Sequence, residues 1–564
     1  MEALDWVVIG VFFLALIGII VWVVRQKQND SADYFLGGRD ATWLAIGASI
    51  FASNIGSEHL IGLAGAGASS GMAMAHWEIQ GWMILILGWV FVPFYTRSMV
   101  YTMPEFLERR YNPQSRTILS VISLVSYVLT KVAVTVYAGG LVFQQVFGIK
   151  ELWGIDFFWI AAIGLVLLTA LYTIFGGMKS VLYTSVLQTP ILLLGSLIIL
   201  VLGFKELGGW DEMMRVCGAV TVNDYGDTMT NLIRSNDDAN FPWLGALIGS
   251  AIIGFWYWCT DQFIVQRVLS GKNEKEARRG TIFGAYLKLL PVFLFLIPGM
   301  IAFALHQKYI GAGGEGFLPM LANGNANADA AFPTLVAKLL PAGVKGLVVC
   351  GILAALMSSL ASLFNSSAML FTIDFYKRFR PETPEKKLVG IGQIATVVIV
   401  ILGILWIPIM RSVGDVLYTY LQDVQSVLAP GIAAAFLLGI CWKRTSAQGG
   451  MWGLISGMVI GLTRLGAKVY YSNAGEVADS TFKYLFYDMN WLFFCGWMFL
   501  FCIIVVIVVS LATEAPTTEK IQGLVFGTAT KEQKAATRAS WNHWDIIHTV
   551  IILAITGAFY WYFW

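Results

Sequence analysis

Charged residues are scarce in this chain. They make up 13% of its 564 residues, whereas apolar residues make up 57% and the mean hydropathy is +0.70. A soluble chain of this length would divide into two or more cores with polar surfaces. The apolar residues instead form runs of about 20 residues, the length that crosses a bilayer as a helix. This composition excludes a soluble protein and predicts an all-α membrane protein.

The chain has few cysteines and no evident nucleotide-binding motif. The six cysteines lie mostly in apolar runs, and none has the spacing of a metal site or a disulfide framework. Residues 1–24 have no basic leader and no small-residue cleavage site, so we expect a retained helix there. No GxxxxGK[ST] loop and no soluble domain are evident. We therefore expect neither ATP hydrolysis nor an enzyme, and no nucleic-acid partner.

Hydrophobic runs predict fourteen membrane spans. Their expected limits are 4–24, 42–66, 71–96, 116–146, 153–175, 179–203, 242–265, 281–305, 344–376, 389–409, 414–440, 449–470, 488–512 and 545–564. The connections alternate between segments rich in Lys and Arg and segments poor in them. The positive-inside rule places the basic set in the cytoplasm and both termini outside it. Short loops and the lack of an external glycosylation sequon favour a bacterial inner membrane.

Two spans contain interruptions. One is the polar segment 52–59, and the other is the glycine-rich segment 249–254, which Trp256-Tyr257-Trp258 follows. If 42–203 and 242–440 are repeats, these segments open the two halves, and 4–24 and 449–564 are flanking helices of one domain, 1–564. Paired interrupted helices indicate a transporter binding site, although glycines also let helices pack closely. A secondary transporter or a channel is thus expected.

Ionisable groups inside a bilayer are costly and suggest function. The clearest are Glu58, His59, Glu78, Lys131 and Lys288, and Gln422 adds an amide. Glu78 and Lys288 can neutralise each other and still offer hydrogen bonds, which suits a neutral, hydroxyl-rich ligand. The alternative is a structural ion pair that fixes two helices. The aromatic triplet 256–258 either stacks on a sugar ring or packs in the core.

A patch of neutral oxygens is the second candidate site. Ala355, Ser358 and Ser359 share one helical face. The unwound carbonyls of Ala52 to Ile55 would complete an oxygen shell for Na⁺. The alternative is that the serines bond back to their own helix.

These residues belong to stretches that resemble the sodium/solute symporter family. The likeness is to its sodium/glucose cotransporter branch, which includes the sodium/inositol cotransporters, and it covers nearly the whole chain. The matching stretches are Ala52–Ser57, Tyr101–Leu107, Tyr172–Met178, Trp256–Gln262, Tyr286–Leu289, Met357–Leu360 and Phe364–Ser366.

The resemblance implies a leucine-transporter-type fold of about 14 helices, with two inverted five-helix repeats and extra flanking helices. It implies a symporter that imports a neutral sugar with sodium by alternating access, within the lipid bilayer and without an obligate protein partner. The implied sodium ligands are the carbonyls of Ala52, Ile55 and Ala355 and the hydroxyls of Ser358 and Ser359. The implied substrate residues are His59, Glu78, Lys288 and Gln422, with Tyr257, steadied by Asn54, closing the cytoplasmic side.

Two positions depart from the family pattern. Sugar-transporting relatives often have a polar side chain where this chain has Gly254, and the family commonly has Asp where this chain has Ser185. An importer of inositol or another polyol is therefore a second interpretation. A solute sensor and a passive channel are further alternatives, although no signalling domain is evident.

Overall fold

The computed structural model of the protein describes residues 1–26, 30–56, 58–321, 324–412, 417–473 and 478–564. Ser57, part of the first interrupted segment, lies outside the described residues. The described part is mostly helical, with irregular connections such as 219–242 and one antiparallel hairpin, Glu151–Leu152 with Ile155–Asp156. The expectation of an all-α membrane protein is confirmed at this level, because ten described helices are long and apolar enough to cross a bilayer.

The long helical segments are α1 Ala3–Val24, α2 Trp43–Asn54, α3 Gly71–Ser98, α4 Pro113–Ser126, α5 Ala133–Phe147, α6 Phe157–Leu207, α7 Trp243–Gly254, α8 Glu274–Gly311, α9 Val344–Phe379, α10 Glu385–Ser412, α11 Leu417–Cys441, α12 Ala447–Asn473, α13 Trp491–Ala512 and α14 His543–Tyr562. The shorter helices are Ser31–Leu36, Ala64–Ser69, Met103–Arg110, Trp210–Gly218, Gln262–Leu269, Ala331–Leu339, Thr518–Ile521 and Lys531–Ala539.

Burial separates central from peripheral helices. The apolar windows of α9 and α8 are 94% and 83% buried, whereas those of α1 and α14 are each only 22% buried. A peripheral helix that is apolar all round is stable in lipid, because hydrocarbon solvates its outward side chains. The residues expected to bind sodium and substrate therefore include positions on the two most enclosed helices.

Helix α6 doubles back on itself. Gly177 has φ 53° and ψ −149°, far from helical values. The Ser180 hydroxyl donates to the Tyr172 carbonyl at 3.1 Å. Eight residues of straight helix would instead separate these groups by about 12 Å. The chain thus reverses at Gly177, between the expected spans 153–175 and 179–203.

The first interruption lies where the sequence predicts it. Helix α2 ends at Asn54, and Ile55 is extended, with φ −78° and ψ 108°. A π-helical turn, Glu58–Leu63, follows and leads into the helix Ala64–Ser69. Such turns often occur at functional sites, because they break the regular ladder of backbone hydrogen bonds.

The second interruption was predicted in the wrong place. Residues 249–254 are regular helix, and the chain continues through a π turn, Phe255–Thr260, before Asp261 becomes extended. The glycines serve close packing instead. A methyl group at Gly249 would lie 2.8 Å from the Leu492 side chain, and one at Gly254 would lie 2.5 Å from the Gln80 side-chain oxygen.

Candidate functional site

A small cavity lies where the two interrupted helices meet. All six residues expected at a substrate site line it, namely Asn54, His59, Glu78, Tyr257, Lys288 and Gln422. Its volume is about 40 Å³, which has room for roughly three water molecules. A sugar ring therefore enters only when some of these side chains move.

An ion pair crosses the cavity from α3 to α8. The Lys288 ammonium donates to Glu78 Oε2 at 2.6 Å and to Asn54 Oδ1 at 3.2 Å. His59 Nε2 lies 3.2 Å from the same carboxylate oxygen. The side chains of Lys288 and Glu78 are only 4% and 3% exposed. The two charges thus cancel. The geometry of the pair fits both a structural ion pair that holds α3 against α8 and a substrate site.

Several polar atoms of the cavity wall have no partner. Among the described residues, His59 Nδ1, Trp77 Nε1 and Gln422 Oε1 are buried without a hydrogen bond. Leaving such a group unpaired costs about 1–3 kcal/mol, so proteins rarely do so without a reason. A hydroxyl both donates and accepts, and it can satisfy the indole donor and the amide acceptor alike. The cavity is therefore suited to a ligand rich in hydroxyl groups.

Tyr257 lies at one wall of the cavity, held by Asn54. The Asn54 amide donates to the Tyr257 hydroxyl at 3.1 Å, and the neighbouring Trp258 also lines the cavity. Trp256 does not line it. Its ring lies 5.4 Å from the Lys131 ammonium, so only two members of the aromatic triplet are available to a ligand.

Lys131 binds Asp261, the extended residue at the second helix interruption. Its ammonium donates to Asp261 at 2.8 Å, and the Tyr127 hydroxyl donates to the same carboxylate. The Asp261 side chain also accepts from the Phe263 amide, which caps the helix Gln262–Leu269. Lys131 therefore stabilises the break at Asp261.

The expected sodium ligands come from two elements that touch. The Ser53 and Ser362 hydroxyls are 2.7 Å apart and mark the contact between the end of α2 and α9. A methyl group at Gly56 would lie 3.1 Å from Ser359 Oγ. The face of Ala355, Ser358 and Ser359 thus reaches the end of α2.

A helix end leaves its last carbonyls without donors from the same helix. Ala52 lies in the last turn of α2, and Ile55 follows it. Together with the serine hydroxyls they supply neutral oxygens, which suit Na⁺ in a transporter. In the described ranges, no cluster of His, Cys, Asp and Glu is arranged to hold a metal ion.

Ser185 adjoins this patch. Its hydroxyl lies 3.3 Å from Ser358 Oγ and 3.4 Å from Ser49 Oγ, and it donates to the Val181 carbonyl at 2.6 Å. The position where the family commonly has Asp is thus in contact with an expected sodium ligand. Serine adds a neutral oxygen there and no charge.

Sequence reasoning missed Trp77 and Gln80, which also line the cavity. On a regular helix, residues two apart such as Glu78 and Gln80 point to different sides. Ile79 and Gln80 leave helical geometry, with ψ values of 19° and 24°, and this turn brings both side chains to one cavity. The Gln80 amide donates to the Ser250 carbonyl at 2.8 Å and fills the space beside Gly254. No pattern in the sequence signals this turn.

Comparisons with known proteins place the chain in a family. The sequence profile of the sodium:solute symporter family matches residues 34–457. The sodium/myo-inositol cotransporter 2 of Mus musculus is 37% identical, over 94% of this chain and 80% of the relative. The sodium/glucose cotransporter 4 of Danio rerio is 36% identical, over 92% of this chain and 80% of the relative.

A solved structure has the same fold. It is the substrate-bound outward-open state of a Na⁺-coupled sialic acid symporter. The similarity has a TM-score of 0.71 at 22% identity and covers 92% of this chain and 99% of the other. This likeness bears on the fold.

Proposed function

Because this chain belongs to the sodium:solute symporter family, we propose that it imports a neutral cyclic polyol, either a sugar or an inositol, by alternating access. It is a multi-pass membrane transporter and not an enzyme, and sodium is its co-transported ion. The related cotransporters carry myo-inositol or glucose in their names, and both molecules are uncharged rings rich in hydroxyls.

One observation supports the substrate class most strongly. The unpartnered atoms of His59, Trp77 and Gln422 surround an ion pair that is already neutral. A charged substrate would leave a net charge in a dry site, at a cost of several kcal/mol. A neutral polyol adds hydrogen bonds without adding charge.

The proposed roles follow from the contacts. His59, Glu78, Lys288 and Gln422 bind the polyol, and the ion pair loosens as hydroxyls take over some of its hydrogen bonds. Tyr257 closes the cytoplasmic side, and the Asn54 amide holds it shut. Release then requires that this hydrogen bond break.

Sodium binds at the junction of α2 and α9. The proposed ligands are the carbonyls of Ala52, Ile55 and Ala355 and the hydroxyls of Ser358 and Ser359. The ion would join the end of α2 to α9, next to the interrupted segment that carries Asn54 and His59. This adjacency supports a coupling of sodium binding to the shape of the substrate site.

We also propose fourteen spans with two inverted repeats of the leucine-transporter type, 42–203 and 242–440, between the flanking segments 4–24 and 449–564. The paired interruptions at Ile55 and Asp261 support this division, since each lies near the start of one proposed repeat. Basic connections support an orientation with both termini outside the cytoplasm, and short loops without an external glycosylation sequon support a bacterial inner membrane.

A ligand screen tests the proposal. The purified protein is heated in sodium or in potassium with a panel of monosaccharides, inositols and charged sugar acids. A ligand at 100 times its Kd stabilises the folded state by about 2.7 kcal/mol, which a rise in unfolding temperature reports. We expect a rise with a neutral polyol in sodium only. A rise with charged sugars alone would refute the substrate class.

A further inference from the structure

Glu58 is a second carboxylate of the cavity that the roles above leave unused. It begins the π turn Glu58–Leu63, lines the cavity and keeps part of its surface accessible. In the part of the chain that the structure describes, its carboxylate makes no hydrogen bond or ion pair. The charges that act on it through space are those of His59, Lys131, Glu78 and Lys288.

Burial opposes the charge on Glu58, whereas the neighbouring cations Lys131 and Lys288 favour it. Cations and carboxylates lie around the cavity and the break at Asp261. The cations are Lys131, Arg267 and Lys288, and the carboxylates are Glu58, Glu78 and Asp261. Three charges of each sign cancel only if Glu58 carries its charge. An uncompensated charge inside the membrane would be costly, so the ionised form of Glu58 is favoured.

The two carboxylates of the cavity, Glu78 and Glu58, differ in their hydrogen-bond partners. Glu78 Oε2 already receives Lys288 and lies within hydrogen-bond distance of His59. Glu58 has no such partner in the described residues, and its partly accessible side chain lines the cavity. An ionised carboxylate accepts and does not donate, so its natural partners in a polyol are hydroxyl hydrogens.

We propose that Glu58 binds the substrate directly, accepting hydrogen bonds from two neighbouring hydroxyls, and that it favours a cyclitol over a hexopyranose. A cyclitol such as inositol presents a hydroxyl donor at every ring carbon. A pyranose presents in one position a ring oxygen, which only accepts and which a carboxylate repels. This inference rests on the proposed function and narrows its substrate class.

The Gln80 amide adds to this preference. It fills the space beside Gly254, and its NH₂ group already donates to the Ser250 carbonyl. Its oxygen is therefore the group that adds acceptor character at this wall of the cavity. Gln422 Oε1 is an unpartnered acceptor of the same cavity, and acceptors at these positions suit the hydroxyl donors of a polyol.

The test measures polyol affinity in saturating sodium for the parent, Glu58→Gln and Glu58→Asp, with Glu212→Gln as the control. Glu212 pairs with the exposed Arg215 and does not line the cavity. We expect Glu58→Gln to weaken inositol binding roughly 10- to 100-fold, the effect of losing hydrogen bonds to a charged group. The sodium half-saturation should stay close to that of the parent, whereas the unfolding temperature without polyol should fall, because glutamine leaves one cation of the site uncompensated.

The variant Glu58→Asp distinguishes direct binding of the substrate from an effect of the negative charge alone. It keeps the charge but withdraws the carboxylate by one methylene, so a direct contact predicts weaker binding in both variants. A role in charge balance alone predicts that Glu58→Asp binds inositol like the parent, which would overturn the inference.

Monodeoxy-inositols identify the hydroxyls. Removing a hydroxyl that Glu58 binds should weaken binding of the inositol to the parent. It should weaken binding to Glu58→Gln much less, because that variant has already lost the same hydrogen bond. If every deoxy-inositol loses the same factor in both proteins, Glu58 does not touch the substrate. If the parent binds no neutral polyol at all, the proposed function itself fails, and the Glu58 assignment falls with it.

Discussion

Replacing Lys288 with methionine separates the two interpretations of the ion pair across the cavity. Lys288→Met leaves Glu78 as a buried carboxylate whose remaining partner is His59. Removing one partner of a buried pair costs about 3–5 kcal/mol, because the other charge stays desolvated. We therefore expect a marked drop in the unfolding temperature. Lys345→Met is the control, because the Lys345 ammonium donates to the Ala337 carbonyl and has no ion-pair partner among the described residues.

The double variant Lys288→Met, Glu78→Gln removes both charges. A neutral pair of similar volume is often as stable as the ion pair it replaces, so the unfolding temperature should return close to that of the parent. Uptake should not return, because the cavity has lost both the ammonium donor and the carboxylate acceptor. We thus expect the double variant to be about as stable as the parent but inactive in uptake.

The assay pairs thermal unfolding in detergent with polyol uptake in proteoliposomes, for the parent, both single variants and the double variant. Recovery of stability without uptake supports a substrate site. If the double variant recovers both stability and polyol affinity, the ion pair only ties α3 to α8 and the substrate site is wrongly placed.

Other predictions concern sodium, substrate, packing and stoichiometry. Ser359→Ala should raise the sodium half-saturation of uptake at least tenfold, since a dry site offers no replacement ligand; an unchanged value would remove Ser359 from the sodium site. Gln422→Ala should weaken polyol binding by roughly 1–3 kcal/mol without changing sodium binding, and parental affinity would place Gln422 outside the pocket. Gly299→Ala should destabilise the protein, because its methyl group would overlap a backbone carbonyl, whereas Gly311→Ala meets nothing within 4 Å; equal unfolding temperatures would contradict this packing. One sodium should move per polyol, because Ser185 supplies no carboxylate to offset a second ion, and reversal potentials that fit two sodium ions would refute this.

Charge and polarity predicted most of the site. Ionisable groups are so costly in a bilayer that Glu78 and Lys288 stand out in any reading of the sequence, and the structure pairs them at 2.6 Å. The oxygen patch was visible as helical spacing in 355–359. The sodium ligation and the substrate contacts themselves stay predictions.

The position of the second break was not readable from composition. Glycines in membrane helices serve either unwinding or close packing, and the sequence does not distinguish the two. At 249–254 they serve packing, and the break comes at Asp261, where Lys131 and Tyr127 satisfy the carboxylate. Partners this far apart in sequence are known only from the fold. Gln80 was missed for a similar reason, because a local turn rather than helical periodicity aims it at the cavity.

Uptake driven by a sodium gradient tests the central claim most directly. A tenfold inward gradient and a 100 mV potential together supply about 3.7 kcal/mol for one ion, which supports roughly 500-fold accumulation of a neutral polyol. Proteoliposomes loaded with the protein and given the polyol that stabilises it most should concentrate that polyol in sodium, and lose it when the gradient is dissipated. Equal concentrations inside and outside, reached at the same rate in sodium and in potassium, would contradict the account.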